Sequence, residues 1–213
     1  MGGIRYALLP DGPSDRALLQ VINWAVRRRN IRVEKFEMVE LGFLKNPPKS
    51  LADRAISAFE FFPCDVLFIH RDAESSSLEA RLAEIKIAIE QSLHRHVPIV
   101  PVRMTEAWLL HDESAIRTAS GNPNGKVALD LPPPARVEKL SNPKEILKCA
   151  LLTATELEGR HRKQRERKLH RMILRVAELI DDFSPLLVVN AFQHFLLSLD
   201  ETLGELFPED RNE

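Results

Sequence analysis

Through the first 118 residues, short apolar runs alternate with stretches whose hydrophobic residues recur at helical spacing, and that alternation leaves few folds open. Ile4 to Pro10 reads as a strand, and Pro13 to Arg29 carries Leu18, Leu19, Ile22 and Val26 on one helical face. The pattern repeats with a strand over Ile31 to Leu41, a helix over Ser50 to Phe62 and a strand over Cys64 to His70. A helix over Leu78 to Leu93, with Leu82, Ile85 and Ile89 as its apolar stripe, leads to a β-branched run over Val97 to Val102. Such a chain is expected to be α/β, a mostly parallel sheet flanked by helices with right-handed crossovers. Ligands of these sheets bind beyond the carboxyl ends of the strands. Residues that follow each strand are therefore the first candidates for chemistry.

The composition changes from Thr118, where Gly121, Asn122, Pro123, Asn124 and Gly125 make a turn-rich loop and Pro132 to Pro134 continue irregular structure. This divides the chain into an α/β core, residues 1–118, and a loop and helical extension packed on it, residues 119–213. Asn142-Pro143-Lys144 opens a helix running to about Glu158. A charged helix is expected from about Arg160 to Ile180, and Ser184-Pro185 suits the cap and first turn of the last one.

The bulk properties narrow the class. With 44% hydrophobic and 29% charged residues in 213, the chain has the balance of an ordinary globular protein. No apolar run approaches the roughly 18 residues of a membrane span, and the opening residues lack a signal-peptide layout, so a cytoplasmic location without membrane partners is expected. Cys64 and Cys149 stand far apart and are expected to be buried, unreactive thiols. A formal charge of −1 gives no global attraction for nucleic acid, so any such binding must come from local clusters of Lys and Arg.

Acidic residues gather where strands end. Asp11 stands at the tip of the first strand, followed by Gly12; Asp11 or Ser14 also suits a plain helix cap. Asp72 and Glu74 follow the buried run that ends in His70. Hard divalent cations such as Mg²⁺ take oxygen ligands, so two carboxylates at one strand end suit metal-assisted phosphoryl transfer, although a solvated acidic loop has the same composition. Arg103 falls at the tip of the fourth strand, and Glu106 enters the first turn of the next helix, where it also favours the helix dipole.

Taken together these features resemble the TOPRIM fold of topoisomerases, primases and nucleases of the overcoming-lysogenization-defect group. More closely, the chain is similar to a bacterial TOPRIM-like family catalogued as domain of unknown function 4276. The matching pieces are Asp11-Gly12 with Asp15, His70-Arg71-Asp72, Glu106-Ala107-Trp108-Leu109-Leu110-His111-Asp112, and Val137-Glu138 with Asn142-Pro143-Lys144. Asp11 stands where TOPRIM proteins usually have Glu, and His70 replaces the first Asp of an Asp-x-Asp pair. The resemblance implies a nuclease or related enzyme in which Asp11, Asp72, Glu74 and Glu106 hold Mg²⁺ or Mn²⁺. Asp11 would be a ligand or general base, and Arg103 and Lys144 would neutralise developing charge. It further implies action on nucleic acid, DNA before RNA, with a partner ATPase in phage defence. The His70 replacement motivates an alternative, a non-catalytic TOPRIM-like subunit that binds nucleic acid or a partner protein.

A second cluster is basic. Between Arg160 and Arg175 the chain carries Arg160, Arg162, Lys163, Arg165, Arg167, Lys168 and Arg171, which suit sequence-independent contacts to a phosphate backbone. A solvated face or salt bridges to the balancing Asp and Glu would use the same residues. Gly121-Asn-Pro-Asn-Gly125-Lys126 is one residue short of a phosphate-cradling loop and follows no strand. A receiver-like signalling domain needs a fifth strand ending in Lys, for which 127–131 is the only candidate.

Overall fold

The structure, a computed structural model, describes residues 3–90, 92 and 94–208. Four strands, β1 (Gly3–Leu9), β2 (Arg32–Met38), β3 (Val66–His70) and β4 (His96–Ile99), form one all-parallel sheet in the order β2-β1-β3-β4. β3 is buried along its whole length, so both faces are covered and its sequence is a continuous apolar run without alternation. Leu9 pairs with Ile69 and His70 with Ile99, which brings the carboxyl ends of β1, β3 and β4 level with one another.

Helices α1 (Leu18–Arg27), α2 (Leu51–Phe61) and α3 (Leu78–Ile89) make the crossovers. The chain leaves β1 toward β2 in one direction and returns past β1 to β3 and β4 in the other. Right-handed connections then place α1 on one face and α2 with α3 on the opposite face. Ser50 and Ser77 cap α2 and α3 by accepting from the N–H groups of Asp53 and Ala80. Leu93, the expected end of the third helix, lies outside the described residues.

The expected strands and crossover helices are all present, and the differences lie further along. A fourth helix, α4 (Glu113–Ser120), crosses position 118 and ends at Gly121, whose φ of 83° supplies the left-handed cap that a Cβ would resist. Residues 127–131 form no strand, which removes the receiver-like reading. Asn142 caps α5 (Pro143–Ala154) through the N–H of Glu145. The single charged helix expected over 160–180 is two, α6 (Gly159–Glu166) and α7 (Leu169–Leu179). The first is basic throughout and has no buried face, whereas the second turns Met172, Ile173, Val176 and Ala177 into the core. Ser184-Pro185 opens a separate 3-10 turn, Ser184–Val188, and the last helix, α8 (Asn190–Leu206), begins after it. Cys149 is exposed, against the expectation of a buried thiol, because it faces away from the stripe of α5 that packs inward.

The extension shares the core of the sheet. Trp108 meets Phe192 edge to face at 5.0 Å, Phe195 lies 6.4 Å from Phe68 of β3, and Trp24 of α1 packs on Phe183 and Phe192. Among the described residues no helix is long and apolar enough to cross a membrane. Trp108 is fully buried and joins the two parts, so Trp108→Ala is expected to cost about 3–5 kcal/mol. Urea denaturation of this variant should remain one cooperative transition at a lower midpoint. Separate transitions for residues 3–118 and the later helices would contradict the shared core.

Candidate functional site at the carboxyl edge of the sheet

β1 and β3 are neighbours in space but not in sequence, and their junction is where the strand order reverses. Crevices of parallel sheets open at this point. The loop after β1 carries Asp11 and Asp15, and the loop after β3 carries Arg71, Asp72 and Glu74. Backbone bonds continue past the strand ends: Arg71, Ala73 and Glu74 donate to the carbonyls of Ile99, Pro101 and Arg103. The loop after β3 is therefore held as firmly as a strand.

His70 lies at the centre and is 1% exposed. Its Nδ1 lies 2.8 Å from Asp15 Oδ2, and its Nε2 lies 3.1 Å from Asp72 Oδ1. Each ring nitrogen thus faces a carboxylate, with the Thr105 hydroxyl also 3.2 Å from Nε2, an arrangement that favours two N–H donors and a positive ring. Burial is the largest influence on His70 and favours the neutral form. The hydrogen bonds and charges of Asp15 and Asp72 outweigh it and raise the pKa to about 9. Burial likewise opposes ionisation of Asp15, but His70 and the N–H groups of Gly12 and Asp11 bring its pKa below the usual value.

Asp15 Oδ2 also accepts from the backbone N–H groups of Asp11 and Gly12, both at 2.7 Å. One buried carboxylate thereby fixes the turn that presents Asp11. Asp72 Oδ1 takes the N–H of Thr105 at 2.9 Å and its hydroxyl at 3.3 Å, so the loop after β4 is tied to the same centre. With both ring nitrogens occupied and almost no exposure, His70 organises the site and does not exchange protons with a substrate.

The expected site residues divide into two groups. Asp11 and Asp72 stand on adjoining loops and are linked through Asp15 and His70. Arg71 holds Asp11 Oδ1 at 2.9 Å, with Arg54 at 3.9 Å, and the Oδ2 atoms of Asp11 and Asp72 have no partner among the described residues. Glu74 and Glu106 have other partners: Arg81 approaches Glu74 at 3.6 Å, and Lys144 approaches the buried Glu106 at 3.5 Å. Arg103 is exposed on the rim. Both Glu74 and Arg103 have positive φ, 50° and 66°, and are joined by a backbone hydrogen bond. Strain of this kind in residues other than glycine concentrates at functional loops.

Among the described residues no group of three or more His, Cys, Asp or Glu is disposed to hold a metal ion. A closed protein cage is thus not built from Asp11, Asp72, Glu74 and Glu106 in this arrangement. Mg²⁺ is commonly held by one or two carboxylates and completed by water and substrate phosphate. Asp11 and Asp72, each with a free oxygen, have the donor chemistry for that kind of site.

Sequence reasoning passed over Asp15 as a site residue and treated His70 as a lost ligand. The available signal was a histidine at the end of an entirely apolar strand, since a buried ring needs partners for its nitrogens. Arg54, Arg71 and Arg81 were also missed, because their convergence depends on how α2 and α3 pack. Comparisons with known protein families, curated proteins and solved structures found no match to the chain.

Removing the ring from between the buried Asp15 and the partly buried Asp72 leaves their charges uncompensated, so His70→Ala is expected to cost about 3–5 kcal/mol of stability. The pKa of His70 rises on folding from 6.5 to about 9. Its contribution is fully present below pH 6.5 and is lost as the pH climbs through about 9. That of Asp15, whose pKa falls on folding, is present above its unfolded value and is lost on acidification through the folded one. Denaturant titrations from about pH 5 to about pH 10 should show the alkaline loss in the native chain and not in His70→Gln. Equal slopes in the two proteins would contradict a charged His70.

Proposed function

We propose that the chain is a TOPRIM-like, metal-dependent phosphoryl-transfer protein that cleaves nucleic acid, with Asp11 and Asp72 as the metal-binding carboxylates. The observation that carries this reading is their position. They flank the strand-order reversal, each keeps one oxygen free, and Arg54, Arg71 and Arg81 supply positive charge beside them. Bound there, Mg²⁺ or Mn²⁺ would polarise a phosphodiester and lower the pKa of an attacking water.

The protein's own contribution is placement. His70 and Thr105 fix the free oxygen of Asp72 by occupying the other one, and Asp15 fixes the backbone of Asp11. Arg71 holds Asp11 and also reaches Glu84 at 3.3 Å, so its guanidinium is oriented before a phosphate arrives. Arg103 stands exposed at the rim, where a phosphate oxygen can meet it. Lys144 neutralises Glu106, and this keeps a buried carboxylate from repelling the substrate.

Incubation of the purified chain with single- and double-stranded DNA and RNA tests this. Cleavage is expected in Mg²⁺ or Mn²⁺ and not in EDTA. Asp72→Asn should abolish it, and Thr105→Val, which loosens the support of Asp72, should reduce it by about 10- to 100-fold. Substrates left intact under all these conditions, although bound, would favour the non-catalytic subunit instead.

A further inference from the structure

α2 carries a second apolar stripe besides the one it turns to the sheet. Ala52, Ala55, Ile56 and Phe59 recur at helical spacing and so lie along one side of the helix. α3 packs beside it and brings Ile87, Ala88 and Ile89, and between them the two helices leave a groove of about 770 Å³. Ala55 and Ile89 are buried and form its floor, whereas Ile56 and Ile87, 62% and 72% exposed, stand on its rim. A groove of this size with a mostly apolar lining and a few polar groups has the makeup of a binding site.

Single apolar side chains exposed here and there need no partner. Ile56 and Ile87 are not scattered in that way, because they rise from neighbouring helices on either side of a buried apolar floor. Solvation accounts for exposed charges but gives no return for this surface. The groove follows the helices that form it. From Ala52 to Glu60 there are eight residue steps along α2, about 12 Å or about two helical turns. A straight furrow between two helices is the shape into which a ridge of side chains on a third helix fits.

One end of the furrow is acidic. Glu60 and Glu90 line it, and α2 and α3, successive crossovers on one face of the sheet, both finish there with the negative partial charge of their last carbonyls. The last turn of α2, Ala58-Phe59-Glu60-Phe61, holds no basic residue, and Pro63 brings no N–H to the carbonyl of Phe59. Lys86, in the last turn of α3, is exposed and outside the lining. His94 stacks on Phe59 at 4.2 Å and lines the same end.

We propose that the groove between α2 and α3 is the docking site of an amphipathic helix from a partner protein. The helix lays apolar side chains spaced i, i+3, i+4 and i+7 between Ile56 and Ile87 and places Lys or Arg over Glu60 and Glu90. The inference is independent of the metal-site reading, whose arginines Arg54 and Arg81 belong to the opening turns of the same helices, away from the acidic end.

Two synthetic peptides of about 14 residues, one of Leu and Lys and one of Leu and Glu with the same apolar spacing, are the probes, titrated against the full chain by fluorescence anisotropy. The Leu/Lys peptide should saturate a single site and bind about tenfold tighter than the Leu/Glu peptide. Ala52→Phe fills the groove from a half-buried position and should weaken that binding at least about tenfold. Glu60→Lys together with Glu90→Lys should turn the preference toward the Leu/Glu peptide. Circular dichroism of these variants should match that of the native chain, since the replaced side chains are exposed or half-buried. Absence of saturable binding, equal affinity for the two peptides, a preference that survives the charge exchange, or binding that Ala52→Phe leaves unchanged overturns the proposal. So does sedimentation of the native chain as a dimer that Ile87→Ser separates, which would give the groove to a second copy.

Discussion

The buried contact of His70 with Asp15 and Asp72 is the interaction on which the carboxyl edge of the sheet depends. Two carboxylates brought together at a partly buried edge repel each other and lose hydration, costs that a cation between them offsets. The His70 ring supplies that charge from within the fold, at 2.8 Å and 3.1 Å from the two oxygens. Because β3 carries the ring at its last position, the cation is delivered where the loops after β1 and β4 converge. Asp15 then orders the turn at Asp11, and Asp72 orders the turn at Thr105. Three separate segments of sequence become one rigid rim.

From that rim the order extends into the later helices. Thr105 begins the short 3-10 turn Thr105–Leu109, which buries Trp108 and directs Glu106 toward Lys144 at the start of α5. Trp108 packs on α8, and Ala191 at the start of α8 donates its N–H to Glu138 at 2.7 Å. The extension is therefore braced against the site through a polar contact on one side and an aromatic cluster on the other. α6 is the exception. Arg162 ties it to the end of α5, Arg165 lies against Gly121 at the end of α4, it buries no residue, and its remaining cations are exposed.

The α/β class, the strands, the crossover helices and the Asn142 cap were legible because each depends on local periodicity or on a side chain bonding its own backbone. Asp11 and Asp72 were legible as positions, since any residue just beyond a parallel strand faces the crevice. Their partners were not. Nothing in the spacing of Asp15 and His70, 55 residues apart, announces an ion pair, and Arg54 and Arg71 reach Asp11 from different elements. The break between α6 and α7 was hidden for a related reason. A continuous charged stretch has uniform helix propensity, and it divides where the second half acquires an apolar stripe and the first half does not.

By itself, then, the sequence determined the parallel sheet, the placing of acidic residues beyond β1 and β3, and the concentration of positive charge after Gly159. These follow from apolar periodicity and composition, which act over a few residues at a time. The tertiary structure alone decided which charges neutralise one another. It assigned His70 to Asp15 and Asp72, Lys144 to Glu106, and Arg162 and Arg165 to helix ends, and among the described residues it left five cations of the basic run without ion-pair partners. Electrostatic pairing acts over a few ångströms in space and is indifferent to separation along the chain, so only the fold could settle it.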